Sequence, residues 1–397
     1  MSESAYRTWR TYTAKIAGRS YEVATKPGAF AHGRLDPAAL LLAAHVQVTA
    51  GDSIVHLNCG NGLTGAVAAL SAAETRVFLT DRNVVSVEAT RRTLEANGIG
   101  SGQVVLGHGA SALNTDVVAD SVVIRIPPER VALLQLLTDA FAILRSGGRC
   151  YIAGATNEGI KTAARTLEHM FGNARVLSRD SSHRVVSAVK RAGEPVMPDD
   201  VDPTIRDRDT FREVEVTLRG APFRLCSRPG VFSWEHVDEA TSILANTMEV
   251  PRGASVLDLG CGSGALGLVA ASLSQGGRTT MVDADIEAVR SATRSAEANG
   301  VDNIRALASD VAGSVLEERF DVVVTNPPFH VGKATDLDVP LQFILDAHEV
   351  LAPVGRLLLV ANRTLPYEQA IKHRFGNVEN LHDGPRFKVL AATRQAD

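Results

Sequence analysis

The chain repeats itself once, and no other feature limits its fold as much. Lys26-Pro-Gly-Ala-Phe30 returns as Arg228-Pro-Gly-Val-Phe232, Leu57-Asn-Cys-Gly-Asn-Gly62 as Leu259-Gly-Cys-Gly-Ser-Gly264, and Glu95-Ala-Asn-Gly98 as Glu297-Ala-Asn-Gly300, each pair 202 residues apart. Later the register drifts only slightly: Pro127-Pro128 matches Pro327-Pro328, and Phe171-Gly-Asn173 matches Phe375-Gly-Asn377. Chance matches do not stay collinear over such a span, so the chain is a duplicated domain. Its 397 residues also exceed one ordinary core. Pro195, Pro198 and Pro203 stand amid Asp199, Asp200, Asp202, Asp207 and Asp209 with no apolar period. Residues 193–210 are therefore expected to be a linker between domains at 1–192 and 211–397.

Within the second copy, short apolar strands alternate with helical periods. Strands are expected at Ser255 to Leu259, Arg278 to Val282, Ile304 to Leu307, Asp321 to Thr325 and Arg356 to Ala361. Helices are expected around Val237 to Met248, Asp285 to Asn299, Asp338 to Leu351 and Pro366 to Phe375. Such alternation implies an α/β fold with a parallel sheet covered on both faces. Strands near Val378 and Lys388 to Ala391 flank the short Asp383-Gly384-Pro385 turn, so the sheet should end in an antiparallel pair.

A hydrophobic fraction of 45% with 22% charged residues indicates a globular, soluble chain. The first residues lack the apolar stretch of a signal peptide, and no apolar run approaches the roughly 20 residues of a membrane span. A cytoplasmic protein with no membrane contact is expected. Four cysteines without C-x-x-C spacing predict neither a metal site nor disulfides. A net charge of −4 argues against a broadly basic nucleic-acid binder but leaves room for a local patch. Arg7, Arg10, Lys15, Arg19 and Lys26 form such a run and read as a solvated N-terminal hairpin.

Asp258-Leu-Gly-Cys-Gly-Ser-Gly264 lies between a strand and a helix, where glycines let the backbone turn sharply and approach a ligand. Asp258 would repel a pyrophosphate but suits a ligand carrying an ammonium and a sulfonium. Asp283 ends the next strand, where an acid can hold both ribose hydroxyls. Asp310 follows the third, where a carboxylate can accept from an adenine amino group. A helix cap or turn role is the competing reading for each. Asn326-Pro-Pro-Phe329 ends another strand. The Asn326 side-chain oxygen and the Pro327 carbonyl are two acceptors that can converge on one NH2 group, and Phe329 offers a flat face for a base. An aryl amine is a poor nucleophile because its lone pair is delocalised into the ring. Two acceptors draw its nitrogen toward tetrahedral geometry and offset the positive charge that develops on methylation.

At these residues the chain resembles the amino-group methyltransferases. The tandem copy, Pro229-Gly-Val-Phe-Ser233, Asn362 with Leu365-Pro-Tyr367, and Arg386-Phe-Lys388 are similar to one branch of them: the ribosomal RNA guanine-N2 methyltransferases, small-subunit methyltransferase C type. The resemblance spans roughly Lys26 to Thr393. It implies two tandem Rossmann-like class I methyltransferase domains, each with a mostly parallel seven-stranded sheet and an antiparallel last strand. It implies S-adenosyl-L-methionine as cofactor, and ribosomal RNA or the small ribosomal subunit as partner of a monomeric enzyme. Gly260, Gly262, Asp283 and Asp310 would line the cofactor; Asn326, Pro327 and Phe329 would hold the guanine. Phe232 would lie near cofactor or base, or pack in the core. His330 and Lys333 follow the loop, and His330 would contact RNA or serve only as surface. The same loop would also suit a guanine of the large-subunit RNA, adenine N6 or a protein glutamine. A non-catalytic RNA-binding scaffold and a nicotinamide-linked dehydrogenase are the readings from other classes. The intact motifs speak against the first, and Asp258 with the sheet ending against the second.

The first copy departs from the pattern. His56 and Asn58 replace Asp258 and Gly260, and a side chain at Asn58 would crowd the methionine end of the cofactor. Ile126 replaces Asn326 and Glu129 replaces Phe329, leaving neither acceptor amide nor stacking ring, although Asp81 stands where Asp283 does. The resemblance gives this copy a structural and RNA-docking role. Calorimetric titration with S-adenosyl-L-methionine should therefore give one site per chain. Two sites of similar affinity would show that the first copy is not degenerate.

Overall fold

The computed structural model describes residues 5–199, 207–328 and 337–396. The chain forms two compact units, one of Arg7–Thr210 and one of Phe211–Asp397 together with Met1–Tyr6. The sequence placed the first boundary at 192 and kept residue 6 in the first domain; the structure groups the end of the linker with the first unit and Tyr6 with the second.

In the first unit a hairpin of β1 (Arg10–Ile16) and β2 (Arg19–Thr25) precedes the sheet. It is solvated on one face only. Ala14, Ile16, Tyr21 and Val23 alternate into a small core with Leu63 and Val67, as the period-2 rule requires. Lys26 is buried rather than solvated, its ammonium 5.8 Å from the Trp9 ring centroid. There follow α1 (Pro37–Ala43), β3 (Ser53–Leu57), α2 (Leu63–Ser71), β4 (Arg76–Asp81), α3 (Val84–Ala96), β5 (Gln103–Leu106), β6 (Ala119–Arg125), α4 (Arg130–Ile143), β7 (Leu144–Ala155), α5 (Ile160–Phe171), β8 (Arg175–Arg179) and β9 (His183–Val189). The strands order as β5-β4-β3-β6-β7-β9-β8.

The second unit repeats this plan. A hairpin of β10 (Arg212–Leu218) and β11 (Ala221–Ser227) leads into α6 (Glu239–Thr247), β12 (Val256–Leu259), α7 (Ala265–Leu273), β13 (Thr279–Asp283), α8 (Ile286–Ala298), β14 (Ile304–Ala308), β15 (Phe320–Thr325), α9 (Asp338–Val350), β16 (Leu351–Asn362), α10 (Tyr367–Phe375), β17 (Glu379–Asp383) and β18 (Phe387–Thr393). The sheet order is β14-β13-β12-β15-β16-β18-β17, and β18 runs antiparallel to both neighbours. Each sheet is thus seven-stranded and mostly parallel, with its last strand reversed. Among the described residues no helix is long and apolar enough to cross a membrane.

Central strands of such a sheet are buried on both faces, and β12 follows the rule at all four residues. One of them is Asp258, with no exposed surface; one carboxylate oxygen accepts from the Gly267 N–H at 2.8 Å. Burial pushes its pKa up to about 7, against the Gly267 hydrogen bond and with help from the Asp283 charge. The fold therefore favours the neutral acid, and the ionised form costs stability. That loss begins as pH rises above the unfolded value near 4 and is complete above about 7, amounting to about 4 kcal/mol at about 1.4 kcal/mol per pH unit. Asp258→Asn stays neutral, so its stability relative to the parent should rise across pH 4 to 7 and then level off. Melting temperatures of the two proteins over that range measure this, and parallel curves would refute it.

Candidate active site

The parallel register decides which residues meet. Leu259 on β12 lies opposite Val282 on β13 and Thr325 on β15, and Asp283 lies opposite Ala308 on β14. Gly260, Asp283, Asp310 and Asn326 therefore all leave the sheet at the carboxyl ends of adjacent strands, where open α/β sheets bind ligands. The Thr325 hydroxyl donates to the Leu259 carbonyl at 2.7 Å and ties the glycine turn to the Asn326 loop.

The turn uses its glycines for conformation and for space. Gly260 has φ +79°, and a Cβ there would lie 2.8 Å from the Phe343 ring. Gly262 has φ +53°, and a Cβ there would meet nothing within 4 Å. The Gly262 N–H donates to one Asp283 oxygen and the Asp285 N–H to the other, both at 2.9 Å. The turn and the half-buried carboxylate at the end of β13 are thereby locked together. Asp310 is also half-buried, and one of its oxygens accepts from the Tyr6 hydroxyl at 2.5 Å.

Asn326 is held from behind. Its Nδ2 donates to Asp238 Oδ2 at 3.2 Å and to Thr241 Oγ1 at 3.0 Å. Both partners belong to the start of α6, where Asp238 also caps the helix by accepting from the Thr241 N–H at 3.2 Å. A carboxylate can face only the NH2 side of an amide. Both bonds are made by Nδ2, so Oδ1 is the side of the amide turned from Asp238 and its remaining acceptor. Pro327 next to it is buried, and Pro328 is exposed.

Two expected site residues sit differently from the rest. Asp258 lies beneath the turn with no exposed surface, so it faces the protein interior. Phe232 is 61% exposed, which removes the core-packing alternative. Phe329, His330 and Lys333 lie outside the described residues. Sequence reasoning missed Asp238, Thr241 and Tyr6. An N-cap Asp before a helix was a readable signal, but its reach to a residue far along the chain was not.

The first unit shows how the same frame has been closed. The Gly60 N–H still donates to Asp81 at 2.8 Å and the Asn83 N–H at 2.9 Å, so the turn and its acid persist. His56 is buried, and that burial pushes its pKa down to about 3, which keeps it neutral. Asn58 takes φ +59°, tolerable for Asn, and its Nδ2 donates to the Arg125 carbonyl at 2.8 Å. Arg125 stands at the repeat position of Thr325. Its guanidinium is buried, pairs with Asp36 at 2.8 Å and Glu158 at 2.7 Å, and lies 4.9 Å from the centroid of the Phe30 ring. Asp36 and Phe30 are the repeat equivalents of Asp238 and Phe232. The cap carboxylate that clamps an amide in one copy neutralises a guanidinium in the other.

Comparison with known proteins identifies the family. The family described as methyltransferase small domain matches residues 20–187 and 222–391, one match per copy. The protein of Hahella chejuensis named ribosomal RNA small subunit methyltransferase C is 33% identical over 284 residues, covering 71% of this chain and 80% of the relative. A Pseudomonas aeruginosa protein of the same name is 31% identical over 274 residues, covering 69% and 79%. The structure of the T. thermophilus 16S rRNA N2 G1207 methyltransferase, in complex with AdoMet and guanosine, superposes with a TM-score of 0.83 at 31% identity, covering 98% of this chain and 99% of that one. With the glycine turn, its acid and the clamped amide in the second copy, the chain belongs to the ribosomal RNA small subunit methyltransferase C family.

Proposed function

We propose that this protein methylates the exocyclic N2 amino group of a guanine in 16S ribosomal RNA, using S-adenosyl-L-methionine. The target is the guanine that corresponds to the one the T. thermophilus relative modifies. The observation that carries the reading is the clamped Asn326 amide, whose Nδ2 is held by Asp238 and Thr241 so that Oδ1 is its remaining acceptor. The small ribosomal subunit is the natural presenting partner, and the enzyme acts as a cytoplasmic monomer.

The second unit fits the cofactor. The open side of Gly262 admits a ligand against the backbone, and the Asp283 carboxylate at the end of β13 suits a ribose diol. Gly260, Gly262, Asp283 and Asp310 would hold it, with Phe232 covering it. Asp258, buried under the turn, would support it from beneath through its hydrogen bond from the Gly267 N–H. The bound cofactor supplies an electrophilic methyl group. Asn326 Oδ1 and the Pro327 carbonyl accept from the two hydrogens of the guanine amine. That holds the nitrogen in line and stabilises the positive charge that grows on it. Asp238 behind the amide polarises Oδ1 and adds its own negative charge, so no strong base is needed. Phe329 stacks on the flipped base. The first unit, its equivalent pocket filled by Arg125, supports the catalytic unit and docks RNA.

Mapping methyl groups on ribosomal RNA from cells lacking this protein should show the loss of one N2-methylguanine in the small-subunit RNA; an unchanged map would refute the assignment. In single turnover with saturating cofactor, Asn326→Ala should react roughly 30- to 1,000-fold more slowly, because it loses a hydrogen bond to developing charge worth about 2–4 kcal/mol. Cofactor affinity should change less than about threefold. Asp238→Asn keeps a cap and removes the charge, and should slow the reaction about tenfold. Near-parental rates in Asn326→Ala would remove this loop from the mechanism.

A further inference from the structure

Tyr6 lies outside every motif, yet it is 4% exposed and packs with Leu257, Leu259, Val282 and Val311 in the core of the second unit. The intervening residues Arg7–Thr210 form the other unit. Its hydroxyl reaches Asp310, at the end of the third strand from the glycine turn. The repeat gives this contact a counterpart. Arg208 stands 202 residues after Tyr6, and His108 stands 202 residues before Asp310. In the first unit the Arg208 guanidinium donates to the His108 carbonyl and to the Ser111 hydroxyl and pairs with Asp139. Equivalent arm positions thus close over equivalent loops, but each arm belongs to the unit whose hairpin it does not directly precede.

We propose that Tyr6 is a positioning residue of the cofactor site, orienting the Asp310 carboxylate toward the adenine amino group. This rests on the reading of Asp310 under the proposed function. The direction in which a loop carboxylate presents its oxygens depends on its hydrogen-bond donors. A buried phenol donating to one oxygen fixes the plane of the other, and a charge-assisted bond of this kind is among the stronger ones. The adenine end of the catalytic unit is then completed by a residue that enters the chain before the other unit begins. The Arg208 arm does no such work, since at the position equivalent to Asp310 it meets the backbone carbonyl of His108.

The test compares full-length Tyr6→Phe, Asp310→Ala and Arg208→Ala with the parent. Calorimetry would measure the affinities of S-adenosylhomocysteine and of its 6-oxo counterpart, S-inosylhomocysteine. A carboxylate that accepts from the 6-amino group favours the first and repels the second. Asp310→Ala should abolish the parent's preference. Tyr6→Phe keeps the ring in the core and should shrink the preference roughly 3- to 10-fold, the effect of one misaligned hydrogen bond. Arg208→Ala should leave it unchanged. An unchanged preference in Tyr6→Phe, including equal weakening of both ligands, would overturn the proposal by reducing Tyr6 to packing. A shift in Arg208→Ala would overturn its specificity. An intact preference in Asp310→Ala would instead overturn the assignment of Asp310 to adenine.

Discussion

The pairing of Leu259 with Thr325 across two parallel strands is the constraint on which the site depends. With that register, the glycine turn and the Asn326 loop emerge side by side, and the Thr325 hydroxyl on the Leu259 carbonyl holds them there. A slip of one residue would turn β15 over. Val322 and Val324, which pack in one core, would exchange faces with Val323, which packs in the other. The two apolar layers on either side of the sheet thus fix the position of a polar loop that neither layer contains.

What could be read in the sequence was local. The strands and helices of the second copy carry their own period, and the reversed last strand was signalled by a short turn that cannot span a crossover. The glycine turn and Asn326-Pro-Pro328 were legible because a few consecutive residues state the geometry they need. Asp258 was read by its type, as a partner for a cation. Its depth depends on β12 being central, which only the assembled sheet determines. Asp238 was legible at most as a helix cap; its second role needs α6 to lie against the loop after β15. Tyr6 matches nothing in its repeat partner Arg208, so no comparison of the copies could raise it. In the first copy the sequence marks Ile126 and Glu129, the places where acceptor and ring are missing. Arg125 between the two isoleucines did more, by occupying the space.

One carboxylate position has two fates in this chain. Asp238 and Asp36 both cap a helix, and both reach the end of the strand that leads into the Asn326 or Ile126 loop. Opposite Asn326 the carboxylate imposes an orientation on a neutral amide and leaves its oxygen as the remaining acceptor. Opposite Arg125 it completes a buried ion pair that Glu158 shares. The same backbone frame therefore supports either an oriented acceptor or a sealed interior.

That sealing has an energetic consequence. Replacing Arg125 by a neutral residue would leave Asp36 and Glu158 facing each other with no cation between them, and removing one partner of a buried pair costs about 3–5 kcal/mol. Restoring Asn at 126 first would set an amide where the guanidinium already sits. Neither substitution by itself opens this pocket in an equally stable protein.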